Sequence, residues 1–314
     1  VLHKLATGGV ADIFLAERIE AGCAPVHVVL KRVRSQMLDD HAITGMLADE
    51  IRLGLLCSHP NLVTTLASGQ SDGQPCAVLE YVDGLDLARL RAALLARDER
   101  FTRAQAVHVC MEICKGLAYL HALADDGGLP LAVVHRDVTP PNVLLGVDGA
   151  IKLCDFGFAK STSQRTFTDP GVIKGKFSYL SPEAALEQPV DLRADLFAVG
   201  IMLWEMLTMH RLFHAKTDYE TFKLIQKAEI PPLASFYPDV DPVLEEIVNK
   251  CLSRDPNGRF QSADALFNAL AAYADWQELS CDLGPLVIQL KPPQAAQAAS
   301  SSTAEASWET LGSA

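Results

Sequence analysis

Asp137 and Asp155 stand 18 positions apart, and Asn142 follows the first of them by five. A carboxylate on a loop can accept the proton of an attacking hydroxyl. An Asn amide oxygen and a second carboxylate can hold Mg²⁺, a hard ion that takes oxygen ligands and phosphates. Lys31 lies in the otherwise apolar run Val28-Val29-Leu30-Lys31, where its stem can pack like Met and only its charge is special. Gly8 and Gly9 form a Gly-Gly pair, usually a plain turn, whose missing side chains also let backbone N–H groups approach a phosphate.

These residues need elements to hold them. Stretches 26–33 and 76–80 are dense in β-branched and apolar residues and read as strands. Stretch 43–56 has helical spacing in Met46, Leu47, Ile51, Leu55 and Leu56, and ends before His59-Pro60-Asn61. Gly45 and Gly54 weaken that helix by about 1 kcal/mol each relative to Ala. A second helix is expected over 102–120, then a loop over 124–130. Short strands at 143–145 and 151–154 flank the turn Val147-Asp148-Gly149, so Asp137 precedes a hairpin and Asp155 follows it. Residues 158–180 are rich in Ser, Thr and Lys and read as a long surface loop. Stretch 196–207 is apolar almost all round, as a helix buried through a lobe should be. Amphipathic segments follow near 219–228, 242–252 and 262–276, and after about 292 the composition turns to Ala, Ser, Gln and Thr, a low-complexity tail expected to be disordered.

The chain of 314 residues is 49% hydrophobic and 21% charged, which excludes wholesale disorder, collagen and a coiled coil. Its net charge of −12 argues against nucleic acid and anionic membrane as partners. Eight scattered Cys without a C-x-x-C pair read as reduced, buried thiols of a cytoplasmic protein rather than as zinc ligands or disulfides. The longest apolar stretch is half the length of a membrane span, so none is expected in this piece. The chain begins without Met inside a strand-like stretch, as a fragment of something longer would, and any membrane anchor would lie outside it.

The order His135-Arg136-Asp137, Asn142, Asp155-Phe156-Gly157 resembles the protein kinase family, specifically the catalytic domains of bacterial Hanks-type serine/threonine kinases. Other landmarks fall in sequence. Val28-Val29-Leu30-Lys31 is similar to the strand lysine motif, and Glu50 to its helix partner; Asp49 is the rival, but helical phase favours Glu50. Ser181-Pro182-Glu183 stands where the family has Ala-Pro-Glu, Asp195 opens the buried helix, and Arg259 is placed to pair with Glu183; these three are read as structural. The resemblance implies an α+β, two-lobed protein kinase fold: a small antiparallel sheet lobe over 1–82, a mainly helical lobe over 83–278, and a tail over 279–314. It implies ATP between the lobes, with Mg²⁺, or Mn²⁺ as a substitute, on Asn142 and Asp155. Asp137 would orient and deprotonate the acceptor hydroxyl of a protein substrate, and Lys31, held by Glu50, would position the phosphates. Ala6, Thr7, Gly8 and Gly9 would cover the nucleotide, Leu79 would guard the pocket behind the adenine, and the backbones of Glu80 and Val82 would bind the base. Asp86 is open between a ribose contact and a helix start, and Cys154 between lining the pocket and packing.

Three departures bear on activity. Ala6 and Ala11 replace outer glycines of the phosphate-covering loop; position 139 is Thr where serine/threonine kinases have Lys; and Lys176 stands where the facing segment has Thr. The exchange suggests that Lys176 supplies beside Asp137 the charge that Thr139 cannot. A pseudokinase, binding nucleotide as a scaffold or regulatory module, is the alternative that Ala6, Ala11 and Thr139 support. The resemblance further implies autophosphorylation within the loop, at Thr166 or Thr168, and a kinase-domain dimer for reaction in trans.

Overall fold

The computed structural model describes residues 1–19, 22–38, 40–71, 74–125, 127–155, 176–292 and 308–310. They divide into two units, one of Val1–Asp83 with the described residues from Lys291 onward, the other of the described residues from Gly84 to Leu290.

The first unit is a sheet with one helix. Strands β1 (His3–Thr7), β2 (Ala11–Arg18) and β3 (Val26–Val33) run as an antiparallel meander, helix α1 (His41–Leu56) follows, and β4 (Thr65–Ser71) and β5 (Gln74–Glu80) form a hairpin. β5 pairs antiparallel with β3, giving the order β1-β2-β3-β5-β4. Alternation sorts the side chains. Val28 and Leu30 join Ala16 and Val78 in one buried cluster, while Val33 and Ala77 pack with Leu47 and Ile51 of α1 in another. At Gly54, α1 approaches β4 so closely that a Cβ would stand 2.1 Å from Thr65 Oγ1.

In the second unit, β6 (Gly84–Asp86) leads into α2 (Leu87–Leu95) and α3 (Arg103–His121), and β7 (Val143–Gly146) and β8 (Ile151–Leu153) complete a three-stranded antiparallel sheet with β6. α4 (Pro182–Ala185), α5 (Arg193–Thr208), α6 (Asp218–Lys227), α7 (Pro242–Cys251), α8 (Ala263–Trp276) and α9 (Gly284–Leu290) follow. Local chemistry sets the helix starts: Thr102 with Gln105, and Thr217 with Glu220, form capping boxes on α3 and α6, and Ser262 caps α8. α5 is buried from Ala194 to Thr208, as its apolar stretch 196–204 requires, with Asp195 and Glu205 buried alongside, and it ends where Met209 turns into the left-handed region. Gly200 lets α7 lie against it, since a Cβ there would come 2.6 Å from Cys251 Cβ.

After α9, the short strand β9 (Trp308–Thr310) returns to the first unit and pairs antiparallel with β4, extending the sheet to β1-β2-β3-β5-β4-β9. The thiol expectation needs correction. Cys57, Cys76, Cys110, Cys114 and Cys251 are buried, but Cys23 is exposed and Cys154 and Cys281 are half-buried, since these three lie in connections between elements rather than within a strand or helix. No Cys is in a disulfide, and burial pushes the Cys57 thiol up to about 11 and Cys251 up to about 12, which leaves both inert at neutral pH. Among the described residues no helix is long and apolar enough to cross a membrane.

Candidate active site

Asp195, in the first turn of α5, organises the loop that carries Asp137. Its Oδ2 accepts the main-chain N–H of His135 at 2.8 Å and its Oδ1 that of Arg136, also at 2.8 Å. His121 Nε2, at the end of α3, donates to the same Oδ2 at 2.8 Å. Arg136 has φ +62°, a left-handed conformation that costs a non-glycine residue about 1 kcal/mol or more unless its surroundings impose it. The carboxylate of Asp195, itself buried, imposes it here.

Asp137 follows at once and is 6% exposed. Its N–H donates to His135 Nδ1 at 3.2 Å, and its carbonyl accepts Asn142 Nδ2 at 2.8 Å. Thr139 is buried at the start of the 3-10 turn Pro140–Asn142. The Asn142 carbonyl accepts the N–H of Cys154 at 2.9 Å, which brings Asn142 beside the segment entering Asp155. Asp155 also has a positive φ, +60°. With the Asn142 amide nitrogen spent on the Asp137 carbonyl, its oxygen is the atom left to offer a cation. An amide oxygen and a carboxylate are the donor set a hard divalent ion takes, so these residues fit such an ion.

In the first unit, Lys31 Nζ is 2.5 Å from Glu50 Oε1, and the two side chains are largely buried, at 9% and 19% exposure. The sheet places Lys31 opposite Ala77 and Ile13, on the face turned to α1, and α1 carries Glu50 to it. Asp49, the rival, instead lies near exposed Arg52 at 3.6 Å. At the β1–β2 turn, Gly8 N–H donates to the Ala11 carbonyl at 2.8 Å, and a Cβ on Gly8 would come 3.1 Å from that oxygen. Gly9 has open space around it, while Ala6 and Thr7 stay in β1 opposite Ile13 and Asp12. Leu79 sits in β5 opposite Val29 and Thr65. Glu80 spends its N–H on the Thr64 carbonyl at 3.0 Å, and its Oε1 accepts the Thr64 N–H at 2.7 Å. Val82 is half-buried in the segment after β5.

Asp86 caps α2, accepting the Arg89 N–H at 2.8 Å, which is the helix-start role; burial pushes its carboxyl above the usual range. Arg259 and Glu183 form a two-pronged pair at 2.8 and 2.7 Å, with Arg259 fully buried. Lys176 opens the 3-10 turn Lys176–Tyr179, but its side chain, like Thr166 and Thr168, lies outside the described residues. Sequence reasoning passed over His121; its one sequence signal is a His at the end of an amphipathic helix shortly before His135.

The family profile described as "Protein kinase domain" matches residues 1–270, and the chain belongs to the protein kinase family. Within that family, the chain is 35% identical over 274 residues to tyrosine-protein kinase MasK of Myxococcus xanthus, an alignment covering 87% of this chain and 42% of that protein. The chain is 28% identical over 264 residues to serine/threonine-protein kinase PrkC of Bacillus subtilis, covering 84% of this chain and 38% of that protein. The chain thus spans about two fifths of the length of these relatives. The crystal structure of the Mycobacterium tuberculosis PknI kinase domain shares the fold, with a TM-score of 0.62 at 22% identity over 86% of this chain and 93% of that one. The protein kinase fold and the resemblance to bacterial Hanks-type kinases both hold.

Proposed function

We propose that this domain transfers the γ-phosphoryl group of ATP to Ser or Thr hydroxyls of proteins, its own loop at Thr166 and Thr168 included. The observation that carries the reading is the Asp137 loop, pinned by Asp195 at two consecutive N–H groups and tied to Asn142. These contacts fix the main chain on both sides of Asp137, as a residue that must meet an acceptor hydroxyl requires. Asp137 accepts the proton of the acceptor hydroxyl; the hydroxyl oxygen bonds to the γ-phosphorus as the bond from that phosphorus to the β,γ-bridging oxygen breaks, and ADP departs. Mg²⁺, held by Asn142 and Asp155, would offset the negative charge of the phosphates. Lys31, held by Glu50, would pair with phosphate, and Asp137 and Lys31 are the two residues on which the assignment rests.

One observation favours a second acceptor: MasK is named a tyrosine kinase. The test is incubation with [γ-³²P]ATP and Mg²⁺, followed by phosphoamino-acid analysis and peptide mapping, with Asp137→Asn as control. We expect phosphoserine and phosphothreonine, loop phosphate at Thr166 or Thr168, and loss of at least about 10²-fold in rate for Asp137→Asn. Phosphotyrosine alone would move the acceptor to Tyr. Equal incorporation with Asp137→Asn, or none in the unaltered chain, would overturn the reading and leave the scaffold alternative.

A further inference from the structure

β4 is the outer strand of the five-stranded sheet, and an outer strand presents N–H and C=O groups that a further strand can pair with. In this chain they are met by its own C-terminal segment: Ser71 lies opposite Trp308, Gln70 opposite Glu309 and Gly69 opposite Thr310. A second contact ties the same part of the chain to the same unit. Lys291, directly after α9, forms an ion pair with Asp83, which also accepts the Tyr81 hydroxyl at 3.2 Å. Tyr81 in turn meets the ring of His27 edge-on, with centroids 5.7 Å apart.

We propose that the β4 edge is a strand-docking surface whose occupant is the chain's own segment Trp308–Thr310, anchored upstream by Lys291 on Asp83. The docked strand steadies helix α1. β4 carries Thr65, the residue against which Gly54 of α1 seats, and Glu50, one turn before Gly54, holds Lys31. Pairing at Gly69–Ser71 restrains the strand on which α1 rests. Release of the segment loosens α1 and, with it, the Lys31–Glu50 pair. The regulatory consequence rests on the kinase reading above; the docking does not.

In an antiparallel ladder, consecutive residues point their N–H groups alternately toward and away from the partner, so either Glu309 or Thr310 donates to β4. The variant Glu309→Pro/Thr310→Pro removes that donor whichever it is. Amide hydrogen exchange is measured on the full chain, on this variant and on Lys291→Ala. Exchange at 69–71 should quicken about tenfold in the proline variant, the factor that one lost ladder hydrogen bond is worth, and α1 should quicken with it. Lys291→Ala should give a smaller change of the same sign. A synthetic peptide of residues 303–314 should restore protection to the proline variant, and the same peptide with both prolines should not. Unchanged exchange at 69–71 would overturn the proposal, as would protection that rises with protein concentration, which makes a second copy the occupant. Faster β4 exchange with unchanged α1 would overturn the steadying role. A kinase assay runs in parallel: if neither chain transfers phosphate, the catalytic reading fails while the exchange result still decides the docking.

Discussion

Two cations define the residue scale. Lys31 is paired within the fold and 7% exposed, so the unbranched Lys31→Met keeps a buried side chain of similar length and removes the charge. Phosphoryl transfer should fall at least about 10²-fold, since catalysis of this kind is positioning and electrostatics. Glu50, still 19% exposed, can turn to water, so the melting temperature should fall only slightly. Full activity in a folded Lys31→Met protein would remove Lys31 from the site. Lys176 is the second cation. Thr139, two positions after Asp137, is buried and brings no charge, so the charge of the Lys that serine/threonine kinases carry at that position has to be supplied from another residue. Lys176→Thr should lower kcat about 10²–10³-fold, and Thr139→Lys added to it should recover much of the loss. Wild-type kcat in Lys176→Thr would make the exchange of residues a coincidence.

At the scale of elements, α1 contains two glycines of opposite meaning. Sequence spacing treats them alike, as helix weakeners; the packing does not. A Cβ on Gly45 meets nothing within 4 Å, so Gly45→Ala should stabilise the protein by up to about 1 kcal/mol. A Cβ on Gly54 meets Thr65 Oγ1 at 2.1 Å and Thr65 Cβ at 3.0 Å. Overpacking there costs about 1–3 kcal/mol, more than the helical gain, so Gly54→Ala should destabilise. Thr65→Ala in the same chain should recover part of the loss, and urea unfolding of the four variants measures it. If Gly54→Ala and Gly45→Ala behave alike, the close seat of α1 on β4 is not real. The same contrast marks what the sequence could show. α5 was legible because an apolar run has only one place to go, and α3, α6, α7 and α8 because their periodicity and caps agree. β9 was hidden because its register comes from the β4 edge, and a low-complexity composition carries no sign of that. Within the candidate site, the tie between Asn142 and Asp137 was legible from their spacing. The hold of Asp195 on the His135 and Arg136 amides was not, because it joins residues about 60 positions apart.

On the scale of the whole molecule, the second unit hangs on α5, and one buried ion pair fixes the start of that helix. Arg259 joins both prongs of Glu183, and its Nη1 also donates to the Arg193 carbonyl at 3.1 Å, at the first residue of α5. Its Nε donates to the Ser253 carbonyl at 2.8 Å, and its guanidinium lies over the Phe197 ring at 4.7 Å. Removing one partner of such a pair leaves the other charge buried and costs about 3–5 kcal/mol. For a unit of this size, that is a fall of roughly 6–20 °C in melting temperature for Arg259→Leu. Glu183→Leu/Arg259→Leu removes both charges and should recover most of the loss, though not all, since the carbonyls of Arg193, Ser253 and Arg254 still lose the guanidinium donor. Asp195 sits two residues into the helix that Arg259 anchors, and it sets the Asp137 loop. The single variant, assayed well below its melting point, should therefore lose kcat more than it raises the KM for ATP. A melting temperature within 2 °C of the parent would refute the anchoring, and an unchanged kcat in a destabilised variant would separate the stability of α5 from the geometry of the Asp137 loop.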